Sequence, residues 1–441
     1  MIENAPRFLV QYALETVPRY TSYPPATGFH DGVGFQNWSD WMLRQPTGSN
    51  LSLYIHIPFC KSMCWYCGCH TTIPNRHDRI ARYLEALDAD IRRRAGYAPV
   101  GSRVTCIHFG GGSPDMLEPA EFARIMARLR ERFTITSDAE IAVELDPRGV
   151  TTELCTTMAD HGVNRASLGV QDLSSEVQLL INRIQPRAMV QAAAHMLRSA
   201  GIRAINMDMM YGLPAQSRER VVTTATALAE MGADRISVFG YAHVPWFKKH
   251  QRAIPDSRLP GASERFEQML AAAATLGDAG YDAIGFDHYA RPDDPLAIAA
   301  AKGTLRRNFQ GYTTDSCDLL IGLGASAISE TPQGYVQTIA DPVRYAEAVM
   351  SGADMLARGV ERSPAEFATA TRLADLLCRF ETELAPTDNV DALAPLVAEG
   401  LVQIESGRLV VTALGRPYVR NIAARLDPAL QLAENRHSTA V

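Results

Sequence analysis

The stretch Leu51-Ser-Leu-Tyr-Ile-His-Ile-Pro-Phe-Cys-Lys-Ser-Met-Cys-Trp-Tyr-Cys-Gly-Cys69 constrains this chain more than any other. Leu51 to Ile57 reads as a short buried strand, ended by Pro58, which cannot donate to a sheet ladder. Cys60, Cys64 and Cys67 follow in a C-x3-C-x2-C spacing, with Cys69 two residues on. A loop this short gathers its thiols into one small volume. Converging thiolates select zinc, copper(I) or an iron–sulfur cluster. A structural zinc site is closed by four ligands, commonly two separated pairs, and no second C-x2-C pair exists in the chain. A 4Fe–4S cluster normally takes four thiolates; three would leave one iron open to a small ligand. Cys69 sits so close to Cys67 that one cluster would not easily take both. A closed four-cysteine zinc or iron site is the structural alternative.

The rest of the chain supplies the frame. From residue 51 to about 286 strand and helix alternate. Ile80, Tyr83, Leu84, Leu87 and Ile91 recur at helical spacing. Val104 to Phe109 reads as a strand running into Gly110-Gly-Gly-Ser-Pro114, and Phe122, Ile125, Met126 and Leu129 then share a helix face. Further strands are Glu140–Pro147, Asn164–Gln171, Ile205–Gly212 and Arg235–Tyr241, with a seventh at Tyr281–Phe286 after a helix at 264–279. Six strand–helix units predict a parallel sheet with right-handed crossovers. Six are too few for a closed eight-fold barrel. The fold class is therefore α/β, an open (β/α)6 three-quarter TIM-like barrel.

Residues 1–50 form an N-terminal arm containing the turn-rich Pro18-Arg-Tyr-Thr-Ser-Tyr-Pro-Pro25, and 51–335 form the core with polar, aromatic loops over 287–335. Residues 345–430 form a mainly helical, winged-helix-like domain. Its hairpin is Gly400–Val411, turning at Ser406-Gly407, and Thr412 is a candidate cap for a helix at 413–425. The tail 431–441 is read as disordered. Net charge is −6 and the winged-helix-like module lacks a basic cluster, so nucleic acid is not an expected partner. No apolar run reaches the roughly 18 residues that suggest a membrane span, and the N-terminus has no signal-peptide pattern. Eight cysteines in 441 residues are no disulfide framework, and free thiols suit a reducing cytoplasm.

In a parallel sheet the ligand sits at the carboxyl ends of the strands. The cysteine loop, the glycine run, Glu144, Gln171, Asp208 and Tyr241-Ala242 all fall at or near such ends. Glycines there let a ligand approach the backbone, or simply make a tight turn. Glu144 suits a ribose hydroxyl or an ammonium, or a structural ion pair. Arg183 suits a carboxylate, or lies on a solvated helix face. Asp208, in an apolar strand, needs a partner.

The cysteine stretch resembles the signature of the radical S-adenosylmethionine superfamily. Tyr54-Ile-His-Ile-Pro-Phe-Cys60 together with Cys67-Gly-Cys69 resembles, more narrowly, the oxygen-independent coproporphyrinogen III oxidases. The related haem chaperones share the first run but typically lack the Gly-Cys pair, so a haem-binding and haem-transferring protein is the alternative reading. The resemblance spans residues 17 to 425. It implies a 4Fe–4S cluster on Cys60, Cys64 and Cys67, leaving one open iron. It implies that Tyr54, Tyr66, Gly68, Glu144 and Ile328 contact the S-adenosylmethionine on that cluster. Gly111, Gly112, Ser113, Gln171, Arg183, Asp208 and Ala242 would line a second S-adenosylmethionine. It further implies coproporphyrinogen III as substrate, an electron donor such as a flavodoxin or ferredoxin, a cytoplasmic location and a plausible monomer. The arm would lie over the site mouth, with substrate carboxylates favouring Arg19, Arg291, Arg306 or Arg307. Ser113 departs from the usual threonine, and Arg425-Leu-Asp-Pro-Ala-Leu430 from a Phe-Asp-x-Tyr-Leu wording.

Overall fold

A computed structural model describes residues 6–430; the tail expected to be disordered lies outside them. Six parallel strands form the centre: β1 (Asn50–Ile57), β2 (Arg103–Gly111), β3 (Ile135–Leu145), β4 (Arg165–Gln171), β5 (Ala204–Tyr211) and β6 (Arg235–Gly240). Helices Asp78–Ala95, Pro119–Arg132, Thr152–Asp160, Arg187–Ser199 and Arg218–Glu230 make the crossovers. No residue of β1 or β5 is exposed, as expected for a parallel sheet covered by helices. The predicted helical faces are core faces: Ile80, Tyr83, Leu84, Leu87 and Ile91 are buried, as are Phe122, Ile125, Met126 and Leu129.

The sheet continues beyond the six units. The seventh strand is shorter than expected: β7 (Asp282–Ile284) and β8 (His288–Ala290) form an antiparallel pair, and β8, not β7, joins β6. The region read as loops also holds a hairpin, β9 (Arg306–Asn308) with β10 (Gly311–Thr313). β11 (Leu319–Leu323) then adds in parallel to the free edge of β1. β12 (Ile328–Thr331), β13 (Gly334–Thr338) and β14 (Leu356–Glu361) extend it antiparallel. The twelve strands run in the order 14-13-12-11-1-2-3-4-5-6-8-7. The sheet of the core thus reaches Glu361, past its expected end at 335 and into the stretch read as the start of the C-terminal domain.

One buried ion pair ties this edge down. Arg94 and Asp90 are fully buried with Nε and Oδ1 3.3 Å apart. Asp90 also accepts from Tyr345 Oη (2.7 Å) and from the Gly324 N–H (3.1 Å), and the Arg94 guanidinium lies over the Trp38 ring. Trp38 belongs to helix Phe35–Leu43, an element of the arm that its short amphipathic run did not reveal and that packs into the main core.

The C-terminal unit starts with helix Pro364–Arg379. Ser363 Oγ caps it by accepting the Glu366 N–H, and Glu366 accepts the Ser363 N–H in return. Its small sheet has the order β15 (Glu381–Glu383), β17 (Arg408–Val411), β16 (Val402–Glu405). The β16–β17 turn falls on Ser406 and Gly407, both with positive φ, as a type I′ turn requires. The last helix, Val419–Arg425, begins later than expected. Thr412 closes a turn by accepting the Gly415 N–H, and a 3-10 turn at Arg416–Tyr418 containing Pro417 intervenes. Tyr12, Ala13, Tyr20 and Tyr23 of the arm are buried in this second core.

Candidate active site at the carboxyl ends of the strands

Because β1 to β6 are parallel, their carboxyl ends share one rim. The cysteine loop is fastened there at both feet. Cys60 N–H donates to Thr72 O (3.0 Å) and Thr72 N–H to Pro58 O (2.8 Å). The glycine run fastens it sideways: Gly112 N–H donates to Ile57 O (2.8 Å) and Ser113 N–H to Phe59 O (2.7 Å). A side chain at Gly112 would meet the Phe59 backbone at 2.5 Å. Gly111 has φ +112°, and a Cβ there would meet the His56 ring at 2.5 Å. These glycines are therefore required by the approach of the cysteine loop itself, as well as forming cavity wall.

A cavity of about 740 Å³ opens at this rim. Cys60, Cys64 and Cys67 line it, together with Tyr66, Gly68, Gly111, Gly112, Ser113, Glu144, Gln171, Arg183, Asp208 and Ala242. Two expected contacts stand apart. Tyr54 lies in the barrel interior, its Oη 3.0 Å from His56 Nδ1 and its ring stacked on His108. Ile328 is not on the cavity wall; its backbone packs against Gly322 of β11, which pairs with Tyr54.

The thiols sit among cations. Arg183 Nη1 and Arg148 Nη2 donate to Cys64 Sγ (3.4 and 3.5 Å). A second loop, after β6, grips the cysteine loop through its carbonyls. Gln251 Nε2 donates to Tyr66 O (2.9 Å), His250 Nε2 to Cys67 O (2.7 Å) and Lys248 Nζ to Cys69 O (3.0 Å). The Cys69 side chain and backbone hydrogen bonds, together with His250 and Lys248, outweigh burial and push Cys67 down to about 6. Burial pushes the Cys60 thiol up, although Thr71 Oγ1 donates to its sulfur (3.1 Å). Among the described residues no three His, Cys, Asp or Glu side chains form a ready-made single-ion site. A cluster, whose irons and sulfides fill the space between thiolates, needs only thiols facing one cavity beside positive charge. The three cysteines meet that requirement.

The polar residues are held for contact. Burial raises the Glu144 carboxyl, but the His108 hydrogen bond (2.8 Å) and charge, with the Gly111 N–H at 3.3 Å, bring it below its ordinary value. Arg183 is buried in the turn after helix Ser175–Leu180, not on a solvated face. It bonds Asp146 Oδ2 (3.0 Å) and Gly169 O (2.6 Å), and Tyr66 and Asp146 outweigh burial to raise its pKa. Gln171 ends β4 at φ +66°, an unusual backbone for a side-chain-bearing residue, which marks a break in register with β5. Asp208 finds its partners in Ser167 Oγ (3.0 Å) and Asn206 Nδ2 (2.7 Å), and burial raises its pKa. Sequence reasoning missed His108, Asp146, Arg148 and the Lys248–Gln251 grip. Asp146 and Arg148 follow β3 directly, so the strand-end rule could have found them.

The arm reaches this cavity. Arg19 lines it and donates to Gly240 O (3.0 Å). Arg307 lines a smaller adjoining cavity, and both Arg306 and Arg307 line a further side cavity. Arg291 follows Ala290, which pairs with Arg235 at the amino end of β6, so it lies at the opposite end of the sheet from the thiols. No helix among the described residues is long and apolar enough to cross a membrane.

A radical SAM superfamily model matches residues 54–228. The oxygen-independent coproporphyrinogen III oxidase of Bradyrhizobium diazoefficiens is 43% identical, covering 98% of this chain and 99% of its own. That of Escherichia coli K12 is 38% identical over 96% and 95% of the two chains. A solved coproporphyrinogen III oxidase from Escherichia coli, described as a radical SAM enzyme, superposes with a TM-score of 0.89. It is 36% identical, covering 94% of this chain and all of that one. Full-length likeness of this order, on a chain whose cysteine loop faces the cavity at the strand ends, places the protein in the oxygen-independent coproporphyrinogen III oxidase family of the radical SAM superfamily.

Proposed function

We propose that this protein oxidatively decarboxylates two propionate side chains of coproporphyrinogen III to vinyl groups without oxygen, giving protoporphyrinogen IX. Each propionate gives up a β-hydrogen atom, carbon dioxide and one electron. The observation that carries the reading is the convergence of three cluster-type thiols, a glycine wall and paired acceptors on one cavity of about 740 Å³. When bound, the 4Fe–4S cluster and S-adenosylmethionine supply a 5′-deoxyadenosyl radical.

The chain's own residues bind and orient. Cys60, Cys64 and Cys67 hold the cluster as three thiolates. Cys69 lines the same cavity, and its backbone N–H donates to Cys67 Sγ (3.4 Å). Glu144, bonded by His108, accepts from a ribose hydroxyl or the ammonium of S-adenosylmethionine. Gly68 and Tyr66 lie beside the thiols, while Tyr54 and Ile328 act from behind the wall. Gly111, Gly112, Ser113, Gln171, Arg183, Asp208 and Ala242 are set out around the same cavity and suit a second S-adenosylmethionine. The Lys248–Gln251 loop and the arm cover the mouth and exclude water. A small electron-transfer protein of the flavodoxin or ferredoxin class supplies the reductant, and the protein acts as a monomer. All eight cysteines are free thiols, which supports a reducing, cytoplasmic setting.

The test is anaerobic turnover of the reconstituted protein with coproporphyrinogen III, S-adenosylmethionine, a reductant and a cell extract as electron acceptor. Protoporphyrin fluorescence after oxidation should appear with the wild type and vanish in Cys64→Ser. An intact cluster that cleaves S-adenosylmethionine without forming protoporphyrin would overturn the assignment and favour haem transfer.

A further inference from the structure

A second cavity, of about 200 Å³, opens off the first and shares Arg19, Phe239, Gly240, Tyr241 and Ala242 with it. Four arginines from four separate elements line it: Arg19 of the arm, Arg265 of helix Ala262–Asp278, Arg307 of β9 and Arg420 of the last helix. Asp287 is the only acidic residue on its wall among the described residues, and it is already engaged by His288 Nδ1 (2.7 Å) and faces Arg307 (3.7 Å). Buried Arg265 Nε and Arg307 Nε have no hydrogen-bond partner. Arg307 is held over the Phe286 and Tyr312 rings at 4.7 Å, and Arg265 donates to Tyr241 O (2.9 Å). Arg420 donates to Val17 O and Pro18 O (2.7 and 3.2 Å), which fixes the arm, and Arg19 with it, beside the pocket.

Leaving buried guanidinium nitrogens such as these without a partner is costly unless an anion completes them. Guanidinium groups pair best with carboxylate or phosphate. The pocket is smaller than the roughly 300 Å³ at which whole-ligand sites begin, so it takes an arm of a ligand whose body lies in the larger cavity. Phe239, Phe286 and Phe309 around the cations suit the methylenes of such an arm. Burial, with Arg19 nearby, lowers the pKa of Arg265, while Asp287 outweighs burial to raise that of Arg307.

We infer that Arg19, Arg265 and Arg307 clamp a substrate propionate other than the one being oxidised, and so fix which side chain faces the radical. This rests on the proposed substrate. None of the three thiols lines this pocket, which is why it anchors and does not react. These are positioning residues: their loss should raise KM for coproporphyrinogen III more than it lowers kcat.

The experiment is anaerobic equilibrium dialysis of the cluster-loaded full chain against coproporphyrin III, with steady-state turnover in parallel. Arg19→Gln and Arg265→Gln should each weaken coproporphyrin binding by about tenfold or more, as expected when a charged hydrogen bond is lost. Arg265→Lys should restore part of it, and Arg291→Gln, outside the pocket, should bind as wild type. A melting scan on each variant separates loss of the site from loss of the fold. Unchanged binding and KM in folded Arg19→Gln and Arg265→Gln would overturn the clamp, while leaving the oxidase reading standing if wild type turns over. Absence of saturable binding to wild type would also overturn the clamp. Wild type that binds coproporphyrin through these arginines yet forms no protoporphyrin would keep the clamp and sink the oxidase.

Discussion

Glu144 shows how one side chain can be committed to a ligand. His108 and the Gly111 N–H hold both of its oxygens and keep it ionised against burial. Glu144→Gln preserves the shape but loses the charge and turns one oxygen into a donor facing the Gly111 N–H. It should weaken S-adenosylmethionine binding by about tenfold or more, measurable by anaerobic dialysis; binding within twofold of wild type would deny Glu144 a ligand role. Asp172 carries a different signature. It is fully buried beneath the turn after β4, accepting from Gln216 Nε2 and the Ser174 N–H (both 2.7 Å), and burial pushes it from 3.8 up to about 6. A raised carboxyl favours the folded state while protonated. Its stabilising contribution is therefore complete below about pH 4 and is lost as pH rises through 6. Wild type should lose stability relative to Asp172→Asn across that window, by at most about 3 kcal/mol, with a flat difference above pH 7. Denaturant melts at successive pH values give the curve, and a slope of opposite sign would refute the reading.

At the scale of elements, the arm is held in place by one acid. Tyr20 Oη and Tyr23 Oη both donate to Asp427 (3.0 Å each), which is buried and also accepts the Ala429 and Leu430 N–H groups. Asp427→Ala would strand two buried hydroxyls at about 1–3 kcal/mol each. Trypsin should then cut after Arg19, a bond expected to resist cleavage in wild type, and KM for coproporphyrinogen III should rise; an arm equally protected in the variant would contradict this anchor. Asp427 keeps the aspartate of the Phe-Asp-x-Tyr-Leu wording, while its neighbours Leu426 and Ala429 depart from it. What was legible follows a pattern. The six parallel strands, the crossover helices and the thiol loop are written in periodicity and spacing, and strand ends predicted the glycine run, Glu144, Gln171, Asp208 and Ala242 on the cavity wall. What was not legible depends on long-range pairing. The Lys248–Gln251 grip, Arg265 and the β11 to β14 extension lack a local signature, because short strands and single polar residues acquire meaning only from their neighbours in space. Arg183 was ambiguous for the same reason, since helix face and cavity wall read alike until Asp146 is seen beside it.

Across the whole molecule, two hydrophobic cores are joined by shared elements. The arm sends Tyr12, Tyr20 and Tyr23 into the C-terminal core and Trp38, Trp41 and Met42 into the barrel core. Helix Ala262–Asp278 does likewise, placing Ala272 and Leu276 in the barrel core and Phe266 in the other. Phe266 is 2% exposed and packs between Phe8 and Tyr418, with both ring centroids 5.8 Å away. The same helix carries Arg265 into the arginine pocket, and the last helix carries Arg420, so the pocket forms only when both cores are docked. Multidomain chains usually unfold in steps, but shared burial of this kind couples the steps into one. Calorimetry of the wild-type chain should therefore show a single transition. Phe266→Ala removes a fully packed ring, a change that costs about 3–5 kcal/mol in a core, and the cost falls on the C-terminal unit and its contact with the helix. The variant should split the endotherm, with a smaller transition moving down by several degrees while the barrel transition moves little. Coproporphyrin binding should be lost across the first transition, before the barrel melts. A single endotherm shifted as a whole would mean that the two cores are one cooperative unit whose coupling does not run through this ring.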